Sequence, residues 1–224
     1  MAPLRNSAKA AVIAAFFFAG VSAQANDAQD KALIAAAARG EAPAVARLLK
    51  EGAKVDARDA AGRTALLAAT HANKLEAART LIAAGADVNA KDNIGDSPYL
   101  YAGAEGRNEI LKLTLAAGAD LRSVNRYGGT ALIPAAHHGH PETVAILLAT
   151  KIDKDHVNKL GWTALLEAVV LGDGGPVHTR IVRLLVEAGA NAAIADKDGV
   201  TPLMHARRRG YNDMAKILEA AKAR

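Results

Sequence analysis

A five-residue motif that returns at a fixed interval constrains this chain more than any other feature in it. Gly62-Arg63-Thr64-Ala65-Leu66 recurs as Gly95-Asp96-Ser97-Pro98-Tyr99, Gly128-Gly129-Thr130-Ala131-Leu132 and Gly161-Trp162-Thr163-Ala164-Leu165, each 33 residues after the last. A fifth copy, Gly199-Val200-Thr201-Pro202-Leu203, follows after 38. A second marker runs in phase with the first: Glu51-Gly52-Ala53, Ala84-Gly85-Ala86, Ala117-Gly118-Ala119 and Ala188-Gly189-Ala190 each close a leucine-rich stretch. A period of this size means one small supersecondary unit repeated in series. Each unit is too small to bury its apolar face alone, so the core must run along a stack of neighbours.

The residues within a unit say what that unit is. Thr64, Ser97, Thr130, Thr163 and Thr201 stand where a side-chain oxygen caps a helix N-terminus. Pro98 and Pro202 follow at the first helical position, where the missing N–H costs nothing. Small apolar residues continue the helix, as in Ala65-Leu66-Leu67-Ala68-Ala69, and a break follows at Gly106, Gly139 or Gly210. A second helix carries apolar pairs such as Leu81/Ile82 and Leu147/Leu148. The glycine of the second marker supplies the left-handed residue that ends it. Two places depart from the pattern. Pro134 falls four residues after Thr130, so that helix either starts late or is kinked. The 38-residue step places five extra residues around Gly172–Pro176, either a tolerated surface insertion or a contact loop.

This arrangement resembles the ankyrin repeat, with its Gly-x-Thr-Pro-Leu-His turn and Gly-Ala-Asp-Val-Asn close, over about residues 29–222. The resemblance implies an all-α solenoid of about six helix-turn-helix units joined by extended β-turn tips. The units fall at about 29–59, 60–92, 93–125, 126–158, 159–196 and 197–224, with a polar last helix as outer cap. The family's His is replaced by Leu67, Leu100, Ile133, Leu166 and Met204, which predicts turns held more by apolar packing. The family's binding surface is the concave face formed by turn tips and first helices. Carried over by position, it comprises turn residues Arg63, Asp96, Arg126, Tyr127, Trp162 and Lys197, and helix residues Tyr101, His137, His138, Arg208 and Arg209. Asn93, Ile94, Leu160, Val200, His71, Ala104, Glu105, Val170 and Leu171 lie in the same columns. Aromatic residues and Arg dominate interface energies, so Tyr127 and Trp162 are expected to centre a partner site. Trp162 has an alternative, packing sideways on the neighbouring turn.

Residues 1–25 precede the repeats and read differently. Arg5 and Lys9 form a positive start, Ala10–Val21 is a 12-residue apolar run, and Ala23-Gln24-Ala25 matches an A-x-A cleavage site. A spanning helix needs roughly 20 apolar residues, so the run predicts an export signal cut after Ala25, with residues 26–224 as the mature domain. Removing it takes the formal net charge from +5 to +3 and removes all three Phe. An exported chain without Cys must be stable by packing alone. The expected location is the periplasm or the exterior, with no membrane span after cleavage.

Catalytic signatures are absent from the sequence: no Cys, no G-x-S-x-G, no phosphate-binding or dinucleotide loop. Glu105, Glu142 and Glu167 have no evident partner, and an enzyme is not expected. His137-His138-Gly139-His140 invites a metal or haem reading, but adjacent helical residues point about 100° apart and do not readily share one metal. Two outward His on a binding face is the alternative, and no cofactor is expected. Arg207-Arg208-Arg209 suits a helix C-terminus and, in an exported protein, does not imply nucleic acid. The function expected is a monomeric periplasmic module binding an envelope protein partner, with an acidic surface to suit Arg126, Lys159, Lys197 and Arg208. Resemblance to small exported bacterial ankyrin proteins implies two alternatives: an accessory to catalase and oxidative-stress defence with haem or metal handling, or an immunity protein against a toxin.

Overall fold

The structure is a computed structural model that describes residues 26–222. The segment read as an export signal lies outside these residues. A helix through residues 26–39 (α1) pairs with α2, Ala42–Lys50. The pairs that follow are α3, Ala65–His71, with α4, Leu75–Ala83; α5, Pro98–Ala104, with α6, Asn108–Ala116; and α7, Leu132–His137, with α8, Pro141–Leu148. They are completed by α9, Ala164–Val170, with α10, Pro176–Glu187, and by α11, Pro202–Arg208, with α12, Asn212–Lys222. Helices α3, α5, α7, α9 and α11 stack as one layer, and α2, α4, α6, α8, α10 and α12 as the other. The product is an all-helical solenoid with no strand among the described residues.

The core runs the length of the stack between these layers. Leu33, Leu66, Leu81, Ile110, Leu111, Leu132, Leu147, Leu165, Ile181 and Leu185 are fully buried, with Ala filling the close approaches between helices. Gly103 marks the tightest of these. A Cβ there would stand 2.8 Å from the Ala131 Cβ of the next unit, so α5 and the start of the next unit meet without a side chain between them.

Local chemistry explains where the helices begin and end. Thr64, Ser97, Thr163 and Thr201 accept hydrogen bonds from the backbone N–H three residues on, at 3.2 to 3.3 Å. Each such cap stabilises by about 1 kcal/mol. Thr130 departs from the expectation. Pro134 delays α7, which begins at Leu132 after Ala131 and leaves the Thr130 hydroxyl buried without a partner. At the other end, α4 closes with Ala86 N–H donating to Leu81 O and Gly85 N–H to Ile82 O, which Gly85 permits at φ +86°. The fourth unit has no glycine at that point. Thr150 Oγ1 instead donates to Leu147 O and accepts from Ile152 N–H.

The extra residues of the fifth unit divide in two. Five residues join α9 to α10, where three join α5 to α6, and α10 has 12 residues where α6 has 9. The lengthened connection is tied to the last unit, since Tyr211 Oη donates to Gly172 O at 3.1 Å and the Tyr211 ring covers Gly174.

The turns are braced by hydrogen bonds in addition to the apolar packing that the loss of the family's His suggested. Asp59, Asp92, Asn125, Asn158 and Asp196 each use one side-chain oxygen to accept two backbone N–H groups of their own turn. Lys91, Lys159 and Lys197 donate their ammonium groups to carbonyl oxygens of adjacent turns, at 2.7 to 2.9 Å. Asn93 and Lys159 add backbone N–H donors to Ala61 O and Tyr127 O. The replaced positions Leu67, Leu100, Ile133 and Leu166 are buried, whereas Met204 is 40% exposed.

Candidate functional site

A groove of about 400 Å³ opens on the side of the first helices and turn tips, across the third, fourth and fifth units. Six of the expected contact residues meet there: Asp96, Tyr101, Arg126, Tyr127, His137 and His138. Arg126 bridges the groove's edge. Its guanidinium lies 3.3 Å from the Asp96 carboxylate and 5.0 Å from the Tyr127 ring centre. Tyr127 is 56% exposed, and the exposed Leu160 and Leu171 continue the apolar wall. Tyr101 stacks on His71 with ring centres 3.9 Å apart, which fixes its ring beside the groove.

The other five expected residues lie elsewhere. Trp162 is half-buried and does not line the groove, its backbone N–H bound to Asn158. Arg63 pairs with Asp59 at 2.7 Å and borders a separate open hollow between α1 and α3. The Lys197 ammonium is committed to the Lys159 carbonyl oxygen. Arg208 and Arg209 are exposed on the last unit.

The groove also contains residues that repeat-position reasoning did not select as contacts. Ile133, Pro134, Asn158 and Glu167 line it. Positions 68, 101, 134 and 167 form one column at 33-residue spacing, occupied by Ala, Tyr, Pro and Glu. The column's sharp change of character at Pro134 and Glu167 was the available signal. Glu167 is only 4% exposed. Its Oε1 accepts from Asn158 Nδ2 at 2.9 Å, and Oε2 stands 3.4 Å from His137 Nδ1. Burial pushes the Glu167 carboxyl above the usual range, with the Asn158 hydrogen bond opposing. Asp96 is raised by burial too, against the pull of Arg126. The acids that lacked evident partners therefore have them: Glu105 stands 3.7 Å from His138 Nδ1, and Glu142 pairs with Arg180 at 2.7 Å.

The histidine cluster is structural in its contacts. His138 Nδ1 lies 2.8 Å from Ala104 O, and the Nε2 of His178 lies 3.1 Å from His137 O, so both imidazoles bridge neighbouring units. Burial lowers the pKa of His137, with His138 and His178 adding to the shift, and burial lowers that of His140. Among the described residues no group of three His, Asp or Glu side chains is placed to hold a metal ion. No helix among them is long and apolar enough to cross a membrane.

Comparison with known proteins agrees with the architecture. The family model described as ankyrin repeats (3 copies) matches residues 5–92 and 99–196. An ankyrin repeat domain from Acinetobacter baumannii AYE is 58% identical in sequence, with a TM-score of 0.83 over 85% of this chain and 97% of that one. The ankyrin repeat protein EF0377 is 44% identical, with a TM-score of 0.82 over the same shares. The ankyrin repeat domain of Bcl-3, a member of the IkappaB family, is 29% identical, with a TM-score of 0.77 over 85% of each chain. The ankyrin repeat protein YahD of Escherichia coli (strain K12) shares 51% identity over 57 residues, a segment spanning 25% of this chain and 28% of that relative.

Proposed function

This chain belongs to the ankyrin repeat family, and from that premise we propose that it is a periplasmic, monomeric, non-catalytic module that binds one folded envelope protein through the groove over its third to fifth units. Ankyrin repeats are protein-interaction modules, and sites are what give a shared fold its particular function. The observation that carries the reading is the groove itself. It gathers an exposed Tyr, exposed Leu160 and Leu171 and a positioned Arg in one concavity on a rigid frame. Such residues are the types that act as anchors at interfaces. Export rests on the positive start, short apolar run and A-x-A site of residues 1–25.

The preferred partner surface is of mixed charge. Lys159 and Lys197 are occupied by carbonyl oxygens and Arg126 by Asp96, so the cations turned outward on this side are Arg208 and Arg209 of the last unit. They favour acidic groups on the partner at that end, outside the groove.

The test is capture of a partner from the periplasmic fraction of the host by the mature chain, beside Tyr127→Ala/Leu171→Ala and Trp162→Ala variants. The expected result is one protein retained by the wild type, lost by the groove variant and kept by Trp162→Ala. Equal capture by all three would remove the groove from the interface. A haem- or metal-bearing product with no protein captured would replace the reading with the cofactor-handling alternative.

A further inference from the structure

The groove carries a more specific inference, which rests on the binding reading above. Its floor holds a carboxyl group that the protein leaves half satisfied. Glu167 is 4% exposed, yet only Oε1 is in a hydrogen bond. Among the described residues Oε2 accepts no hydrogen bond, stands 3.4 Å from His137 Nδ1, and is not sealed from solvent as the Thr130 hydroxyl is, so it is open to a donor from the groove. A buried carboxylate is costly unless a donor or an opposite charge meets it. The same column holds Ala68, Tyr101 and Pro134 in the preceding units and His205 in the next, where His205 meets Asp196 of its turn as Glu167 Oε1 meets Asn158, so the turn brace accounts for Oε1 and leaves Oε2 over. The short ring of Pro134 separates Tyr101 from Glu167 along that column, and all three line the groove.

The remaining charges define what fits this space. Three carboxyl groups, Asp96, Glu105 and Glu167, line the groove against a single guanidinium, Arg126, which is drawn to Asp96. Burial lowers the pKa of His137, so the imidazole beside Glu167 favours its neutral form. The wall beside it is apolar, with Leu171 one helical turn on from Glu167 and Leu160 in the turn before α9. An aliphatic stem packed on that wall, carrying a cation to Glu167, satisfies both the apolar surface and the unpaired oxygen.

We propose that the groove is a receptor for one basic side chain of the partner, an Arg or Lys whose cationic head bonds Glu167 Oε2 and whose stem lies against Leu160 and Leu171. A guanidinium carries several donors in a planar fork and can meet Glu167 Oε2 and a second acceptor of the lining at once, so Arg binds more tightly than Lys.

The probe is N-acetyl-arginine amide, titrated into 15N-labelled mature protein and followed by chemical-shift changes, with N-acetyl-citrulline amide as the neutral isostere. The expected result is saturable shifts at the Asn158 side-chain amide and the Leu160 and Leu171 backbone, with a Kd on the order of 1 mM. Citrulline gives none. Glu167→Gln keeps an oxygen for Asn158 and abolishes the shifts, and Pro134→Leu abolishes them by filling the gap with Glu167 intact. Circular dichroism melting confirms that both variants are folded. Equal shifts from citrulline, no shifts from arginine, or shifts retained in folded Glu167→Gln would each overturn the proposal. The two readings fail separately. Partner capture lost in Tyr127→Ala/Leu171→Ala but undiminished in Glu167→Gln leaves the binding function standing and sinks the basic-anchor inference.

Discussion

The second unit and the pair formed by the fourth and fifth share one frame and differ in how closely they keep to its rules. In the second unit every local preference agrees. Thr64 caps α3, residues Ala65 to Ala69 are buried to 5% exposure or less, and Gly85 closes α4 through the paired bonds that a left-handed residue allows. In the fourth unit the threonine cap is unused, Pro134 delays the helix, and Thr150 substitutes for the closing glycine. The fifth buries a carboxyl group and carries an extended connection braced by Tyr211. Of these departures Pro134, Glu167 and the first residue of the extended connection, Leu171, line the groove, while the Thr150 closure lies at the end of α8 in the other layer; the regular unit contributes none of the lining. Sequences agree with their fold at all levels except where function imposes another requirement. The contrast therefore separates scaffold from site.

The largest expected effect comes from damaging the regular region. Leu66→Ala removes a fully buried side chain and should cost about 2–5 kcal/mol in urea unfolding, with groove binding intact under native conditions. A loss below about 1 kcal/mol would mean that the second unit contributes little to the frame. The two threonines give a sharper contrast. Thr64→Ala should cost about 1 kcal/mol, because the cap to Leu67 N–H is lost. Thr130→Val removes a buried hydroxyl with no partner and should leave stability unchanged or raise it. Equal losses for the two would erase the distinction drawn between these units.

Glu167→Gln tests the cost of the site. Removing a buried charge while keeping an acceptor for Asn158 should raise stability at neutral pH, by about 1 kcal/mol or less, while weakening partner binding. A variant both less stable and fully competent in binding would assign Glu167 to the scaffold.

The smallest effect is pH dependence. Burial lowers the folded-state pKa of His71, His137 and His140 below the ordinary 6.5. The unfolded chain then binds more protons just below that value. Their contribution is full above about pH 6.5 and is lost as pH falls toward the folded values. Asp96 and Glu167, raised by burial, act in the opposite direction but over the window above the ordinary carboxylate range. The expected result is a lower Tm at pH 5.5 than at pH 7.5, with a smaller difference in His137→Gln. An unchanged difference would show that His137 is not part of the effect.

The frame was legible because its physics is local. Cap threonines, first-turn prolines and closing glycines act within a few residues, so a 33-residue period reveals helices, turns and their order together. The groove was half legible. Tyr127, Arg126, His137 and His138 follow from repeat position, but Trp162 occupies an equally prominent turn position and does not line the groove. Position in a repeat fixes which face a residue occupies, not which neighbour its side chain leans on. Glu167 was hidden for the opposite reason. Its hydrogen-bond partner Asn158 lies 9 residues back across the turn, and its neighbour His137 lies 30 residues back and reaches it only through the stacking of α7 on α9. The turns were legible only in part: the residues that replace the family's His are mostly buried, but the bonds added by Asp, Asn and Lys positions in the linkers were not foreseen.

The central claim, that the partner seats in the groove, is tested most directly by site-specific photocrosslinking in the cell envelope. One chain carries the photoreactive residue at position 127 in the groove, and another carries it at Arg183, exposed on α10 and outside the groove lining. The account predicts one discrete crosslinked protein from position 127 and none from position 183. The same crosslink from position 183, with none from 127, would place the interface on the other layer of the solenoid and contradict the account.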